Sequence, residues 1–99
     1  MDYKQFAAFN KKLCKKMFGN FIKSRRSNYN LSVNDLSKKV DIAISDLKLI
    51  ECGTKNISQK EFDALCLELS LSDQELLEIT KIAQVQYIGS LFMDYENEN

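Results

Sequence analysis

The chain has 99 residues, 44% of them apolar, and its 14 basic side chains balance 14 acidic ones. That length supports one domain with one modest core, and with no histidine, no glycine-rich phosphate loop and no thiol beside a base, an enzyme is not expected. Proline is absent, glycine occurs only at 19, 53 and 89, and β-branched residues never alternate with polar ones over a long run, so the expected class is all-α.

Taken in order, residues 1–26 read as a basic first helix, running from Tyr3 to about Arg26. Phe6, Phe9, Leu13 and Met17 form its apolar stripe, widened by Phe18, Phe21 and Ile22, and Gly19 suits a close approach by another element. On the far face Lys11 with Lys15, and Lys12 with Lys16, are like-charge pairs one turn apart, each costing a few tenths of a kcal/mol unless an anion lies nearby. A solvated face and a set of phosphate contacts both remain open for these four lysines. Ser27–Asn30, SNYN, is a polar break suited to a turn.

A frame then recurs four times: an apolar residue, a potential cap, two residues, an acid, and a second apolar residue. It reads Leu31-Ser32-x-x-Asp35-Leu36, Ile42-Ala43-x-x-Asp46-Leu47, Ile57-Ser58-x-x-Glu61-Phe62 and Leu71-Ser72-x-x-Glu75-Leu76. In three of these the serine and the acid can form a capping box while the apolar pair staples the turn, so helices are expected to begin at 33, 59 and 73. The second frame puts Ala43 at the cap, which typically costs about 0.5–2 kcal/mol where serine would have served.

The first two frames fall within 31–53, where Leu36 and Val40, then Ile42, then Leu47 and Ile50 have the spacing of two short helices crossing at a tight turn. Gly53 ends the second of these in a left-handed stop, and Thr54-Lys55-Asn56 reads as an exposed loop. Residues 58–70 form a fourth helix that buries Phe62, Leu65 and Leu69. The C-terminal helix, 72–93, carries more apolar residues than one inner face can cover. Self-association through Ile82, Val85, Ile88, Leu91 and Phe92 is the expected use, with packing back onto the first helix as the competitor. Residues 94–99 read as an acidic, frayed tail.

Cys14, Cys52 and Cys66 cannot all pair and none lies in a C-x-x-C spacing, so reduced thiols, no metal and no cofactor are expected. There is no signal-peptide pattern and no apolar run near the ~18 residues of a membrane span, which points to a cytoplasmic protein with no membrane partner.

The run FGNFIKSRRSNYNLSVNDLSKKVDIAISDLKLIECGTKNISQKEFDALCLELSLS resembles the Cro and phage-repressor (XRE) helix-turn-helix family over roughly residues 18–78. The matching blocks are G-x-x-I-x-x-x-R, L-S-x-x-x-L, I-x-x-x-x-L-x-x-I-E-x-G and S-x-x-x-[LF]-x-x-[LI]-x-x-x-L-x-[LV]-S, in order and spacing. The resemblance implies a five-helix bundle of the lambda-repressor-like DNA-binding type, here with an extended first helix and an added C-terminal helix. It also implies an ion pair between Arg26 and Glu51, and a third helix whose N-terminal part enters the major groove with Ile44, Ser45, Lys48 and Leu49 toward the bases. Lys38, Lys39 and Lys55 join this DNA-binding set. Asp41 stands where the family usually has a turn glycine, which an aspartate can replace in a left-handed conformation.

The electrostatics divide the chain. Residues 1–40 carry ten basic against two acidic side chains, a balance of +8, and residues 41–99 carry four against twelve, a balance of −8. The motif itself, 32–55, has four of each and is neutral, so attraction to phosphate has to come largely from the first helix and the arm before the motif, with Lys11, Lys12, Lys15 and Lys16 as candidate contacts. Two functions follow. The first, implied by the resemblance, is a homodimeric DNA-binding transcription regulator, a repressor of the kind carried by phages, plasmids or conjugative elements, with double-stranded DNA as its partner. The alternative is a bundle repurposed for protein–protein interaction, gripping a partner through Ile44, Leu49 and the last helix.

Overall fold

A computed structural model describes the backbone over residues 8–97 and side chains over 9–85. Within those residues lie a short 3-10 turn, Ala8–Asn10, and five α-helices: α1 (Lys12–Asn28), α2 (Val33–Val40), α3 (Ile44–Cys52), α4 (Gln59–Glu68) and α5 (Asp73–Asn97). No strand is present among them, and the all-α helix-turn-helix bundle expected from sequence is what forms.

The repeated frames set the helix starts. Ser32 Oγ accepts the Asp35 N–H at 3.0 Å while the Asp35 carboxylate accepts the Ser32 N–H at 3.2 Å. Ser58 with Glu61 and Ser72 with Glu75 repeat the reciprocal arrangement. These bonds from the serine N–H groups hold Asp35 and Glu75 below the ordinary carboxylate range. Helix ends are equally local. Asn30, Asp41, Gly53 and Ser70 each adopt positive φ after α1, α2, α3 and α4, so Asp41 does take the left-handed position of the usual glycine, at φ 55°. Each stop is followed within five residues by an apolar residue and the next N-cap position.

The core gathers one side of every helix. Phe9, Phe18 and Phe62 form a three-ring cluster with centroids 5.1–5.4 Å apart, and Ile22, Leu36, Leu47, Ile50, Leu65 and Leu69 are buried around it. α5 packs against α1, and the stripe it buries is Leu76, Ile79 and Ala83. The end of α1 is tied to the start of α5 by the Arg25–Glu75 ion pair, and Arg25 and Tyr29 both donate to the Leu69 carbonyl, at 3.2 and 3.3 Å.

Three expectations change. The first helix does not run unbroken from Tyr3: it starts at Lys12, behind the 3-10 turn, because the chain turns at Asn10 and Lys11 is extended with φ −77° and ψ 147°. The stripe shifts as well, since Phe9, Cys14, Phe18 and Ile22 are buried whereas Leu13 and Met17 are only partly covered; Phe6 lies outside the described residues. α5 continues to Asn97, so residues 94–97 are helical rather than a frayed tail, there being no glycine or proline after Gly89 to stop the helix.

Candidate nucleic-acid interface

α3 is oriented from behind. Its inner residues Leu47, Ile50 and Glu51 are buried, and its C-terminal turn lies backbone to backbone on α1 at Gly19. A Cβ added at Gly19 would meet the Glu51 carbonyl oxygen at 2.6 Å and the Ile50 oxygen closer still. Next to this contact Arg26 grips Glu51 with two bonds, Nε to Oε2 at 2.8 Å and Nη2 to Oε1 at 3.0 Å, and gives Nη1 to the Leu31 carbonyl at 2.9 Å. The pair is well covered, with the two side chains 14% and 8% exposed. The bond to Glu51 raises the Arg26 pKa further above its ordinary value, so the guanidinium stays charged.

What α3 turns outward follows from that anchoring. Ile44, Ser45, Lys48, Leu49 and Cys52 are all exposed, with Ile44 at 39% and Leu49 at 46%, and they form one strip along the helix. The α2–α3 turn is fixed by Asp41 and by the Ser37 hydroxyl donating to the Ile42 carbonyl. Ala43 provides no side-chain cap, so the first turn of α3 lacks the acceptor that α2, α4 and α5 possess.

The lysines of the N-terminal extension are placed by contacts with the segment between α3 and α4. Asn10 pairs with Ile57 as a strand neighbour would: its amide oxygen accepts the Ile57 N–H at 2.7 Å and its amide nitrogen donates to the Ile57 carbonyl at 3.1 Å. Lys15 Nζ donates to Asn56 Oδ1 at 3.0 Å, and Gly53 is packed so tightly on α1 that a Cβ there would lie 2.6 Å from Lys16 Cα. The start of α1, with Lys11, Lys12, Lys15 and Lys16, is therefore docked on the segment that follows the C-terminus of α3. That is the negative end of the α3 dipole, which partly offsets the repulsion among the four lysines.

Other cations are already engaged. Lys55 is drawn to the α4 cap acid, with Nζ 2.9 and 2.7 Å from the two Glu61 oxygens, rather than standing free in its loop. Burial pushes Glu61 up, but the bonds from Lys55 and Ser58 outweigh it and leave its pKa lowered. Lys39 lies 3.7 Å from Glu68. Arg25, Arg26 and Lys39 thus pair across the two oppositely charged halves of the sequence. Lys38 is exposed and its charge acts on Asp35 one turn away, and Lys48 is exposed.

On α5, Leu77, Ile82 and Val85 are exposed at 47%, 49% and 69%, while Ile88, Leu91 and Phe92 fall beyond the described side chains. Burial pushes the Cys14 thiol up to about 11 and the Cys66 thiol to about 12, leaving Cys52 as the exposed cysteine. Among the described residues no helix is long and apolar enough to cross a membrane.

Asn10 is the residue that the sequence did not flag. Its partner is 47 positions away, and nothing in its neighbourhood distinguishes it from a polar helical position. A family model described as a helix-turn-helix domain matches residues 19–82 and supports DNA-binding regulation as the general class. Comparison with curated proteins and with solved structures returns no match. The matched span contains α2, α3, α4 and the Arg26–Glu51 pair, begins at the glycine on which α3 rests, and makes up most of the chain: the protein belongs to the helix-turn-helix domain family, of the XRE type.

Proposed function

We propose that this chain is a transcription regulator that binds duplex DNA as a homodimer and acts as a repressor in a mobile element. In this reading the N-terminal part of α3 enters the major groove, with Ile44, Ser45, Lys48 and Leu49 toward the bases. Lys38, Lys39 and Lys55 lie near the backbone, and Lys11, Lys12, Lys15 and Lys16 supply the phosphate attraction that a neutral motif lacks. The observation that carries it is the docking of the basic extension on the α3–α4 segment through Asn10–Ile57 and Lys15–Asn56, on top of the family match. Dimerisation is assigned to the outer side of α5, where Ile82 and Val85 are exposed and the apolar sequence continues through Ile88, Leu91 and Phe92.

A second reading, a bundle that binds a protein, is favoured by the exposed Ile44 and Leu49 on a strip with one charge. Duplex binding measured at several salt concentrations separates the two. A regulator binds random-sequence duplex at low salt with an affinity that falls steeply as salt rises, and loses part of that dependence in Lys48→Gln; a protein-binding bundle shows no duplex affinity even at low salt.

A further inference from the structure

We infer that the outward strip of α3 reads thymine methyl groups, so that the sites this chain selects in duplex DNA are marked by thymines under Ile44 and Leu49. The inference rests on the DNA-binding reading and concerns what that surface selects. Direct readout normally uses side chains that make two hydrogen bonds to one base edge, chiefly Arg, Asn and Gln. The five outward residues of α3 include none of these: there are two branched aliphatic groups, one hydroxyl, one ammonium and one thiol. Ser45 bonds to any base edge and discriminates little, and Lys48 reaches a guanine or a phosphate with equal ease.

The aliphatic pair is different. In the major groove the one apolar feature of any base is the C5-methyl group of thymine, which cytosine lacks. Ile44 occupies the first position of α3 and Leu49 lies on the same outward strip, both exposed and neither pressed against the core. Charge favours a nucleic-acid occupant over an apolar protein patch. Lys48 stands on the strip itself, next to Leu49, Lys38 is exposed near the end of α2, and the lysines of α1 are docked beyond the C-terminus of α3. The result is an apolar contact held against a polyanion, with affinity coming from phosphates and preference from methyl groups.

The test uses duplexes selected by the full chain from a random-sequence library, resynthesised with deoxyuridine in place of thymidine, which removes only the methyl groups. Covering one methyl contributes roughly fourfold in affinity, so the uridine duplex should bind about fourfold more weakly for each methyl contacted, with an unchanged salt slope. Ile44→Ala and Leu49→Ala, at surface positions that leave thermal stability near that of the parent, should each bind the thymidine duplex more weakly and lose sensitivity to one methyl. Equal affinity for thymidine and uridine duplexes overturns the inference while the salt-dependent binding keeps the DNA reading intact, as does a selected site without thymine. No duplex binding even at low salt overturns both, and leaves the strip to a protein partner.

Discussion

Replacing Gly19 with alanine puts a methyl group where the main chain of α3 already lies. The added Cβ would be 2.6 Å from the Glu51 oxygen, nearer still to the Ile50 oxygen and 2.9 Å from the Glu51 carbonyl carbon. A Cβ does not approach a backbone atom within 3.0 Å, so α3 has to retreat by more than 0.4 Å, since the Ile50 oxygen is the nearer of the two. It cannot do so freely, because moving outward would uncover the buried Leu47 and Ile50, and Glu51 is held by Arg26. Overpacking of this kind costs about 1–3 kcal/mol, and three main-chain contacts put Gly19 at the upper end of that range. Alanine in a helix interior returns about 1 kcal/mol of backbone entropy relative to glycine. The expected net loss is about 2 kcal/mol, a fall in Tm of roughly 8–16 °C for a domain of this size. Asn20→Ala, at the exposed neighbouring position, is the control and should be neutral or slightly stabilising. The assay is thermal and urea unfolding of the three chains. A Gly19→Ala protein as stable as the parent, or more stable, would refute the backbone contact that orients α3.

Other outcomes follow from the same geometry. Arg26→Ala strands the covered Glu51 carboxylate and should cost about 3 kcal/mol, whereas exchanging both members for aliphatic residues should cost less than either single change; urea midpoints of the double-mutant cycle measure this. Ala43→Ser gives α3 the cap that its frame lacks and should add about 0.5–1 kcal/mol, read as a higher unfolding midpoint. Thiol titration of the folded chain should modify Cys52 quickly and Cys14 and Cys66 only on unfolding, since burial keeps both of the latter protonated well above neutral pH.

Where the determinants are local, the sequence reveals them. The Ser-x-x-acid frames place the starts of α2, α4 and α5 because the bonds that make those starts join residues three apart. Ala43 in the second frame leaves α3 uncapped for the same reason. The outward strip of α3 is legible too, once Leu47 and Ile50 are assigned inward. Long-range bonds hide the rest. The break before α1 depends on Asn10 finding the backbone of Ile57, and the position of the lysine extension depends on Lys15 finding Asn56. Lys55 reads as a loop cation, but its pairing needs the glutamate that also caps α4, so one acid satisfies two donors that sequence treats separately. Arg26 and Glu51, 25 residues apart, are joined on resemblance and not by spacing.

The central claim is that a neutral helix-turn-helix motif gains its hold on DNA from a basic extension docked beside it. It is tested most directly by the salt dependence of duplex binding in a chain with Lys11, Lys12, Lys15 and Lys16 all changed to glutamine. The slope of log affinity against log salt should become shallower by roughly 0.9 for each lysine that meets a phosphate, with the fold and unfolding midpoint retained. A slope identical to that of the parent would contradict the claim, and would leave the extension as a solvated face.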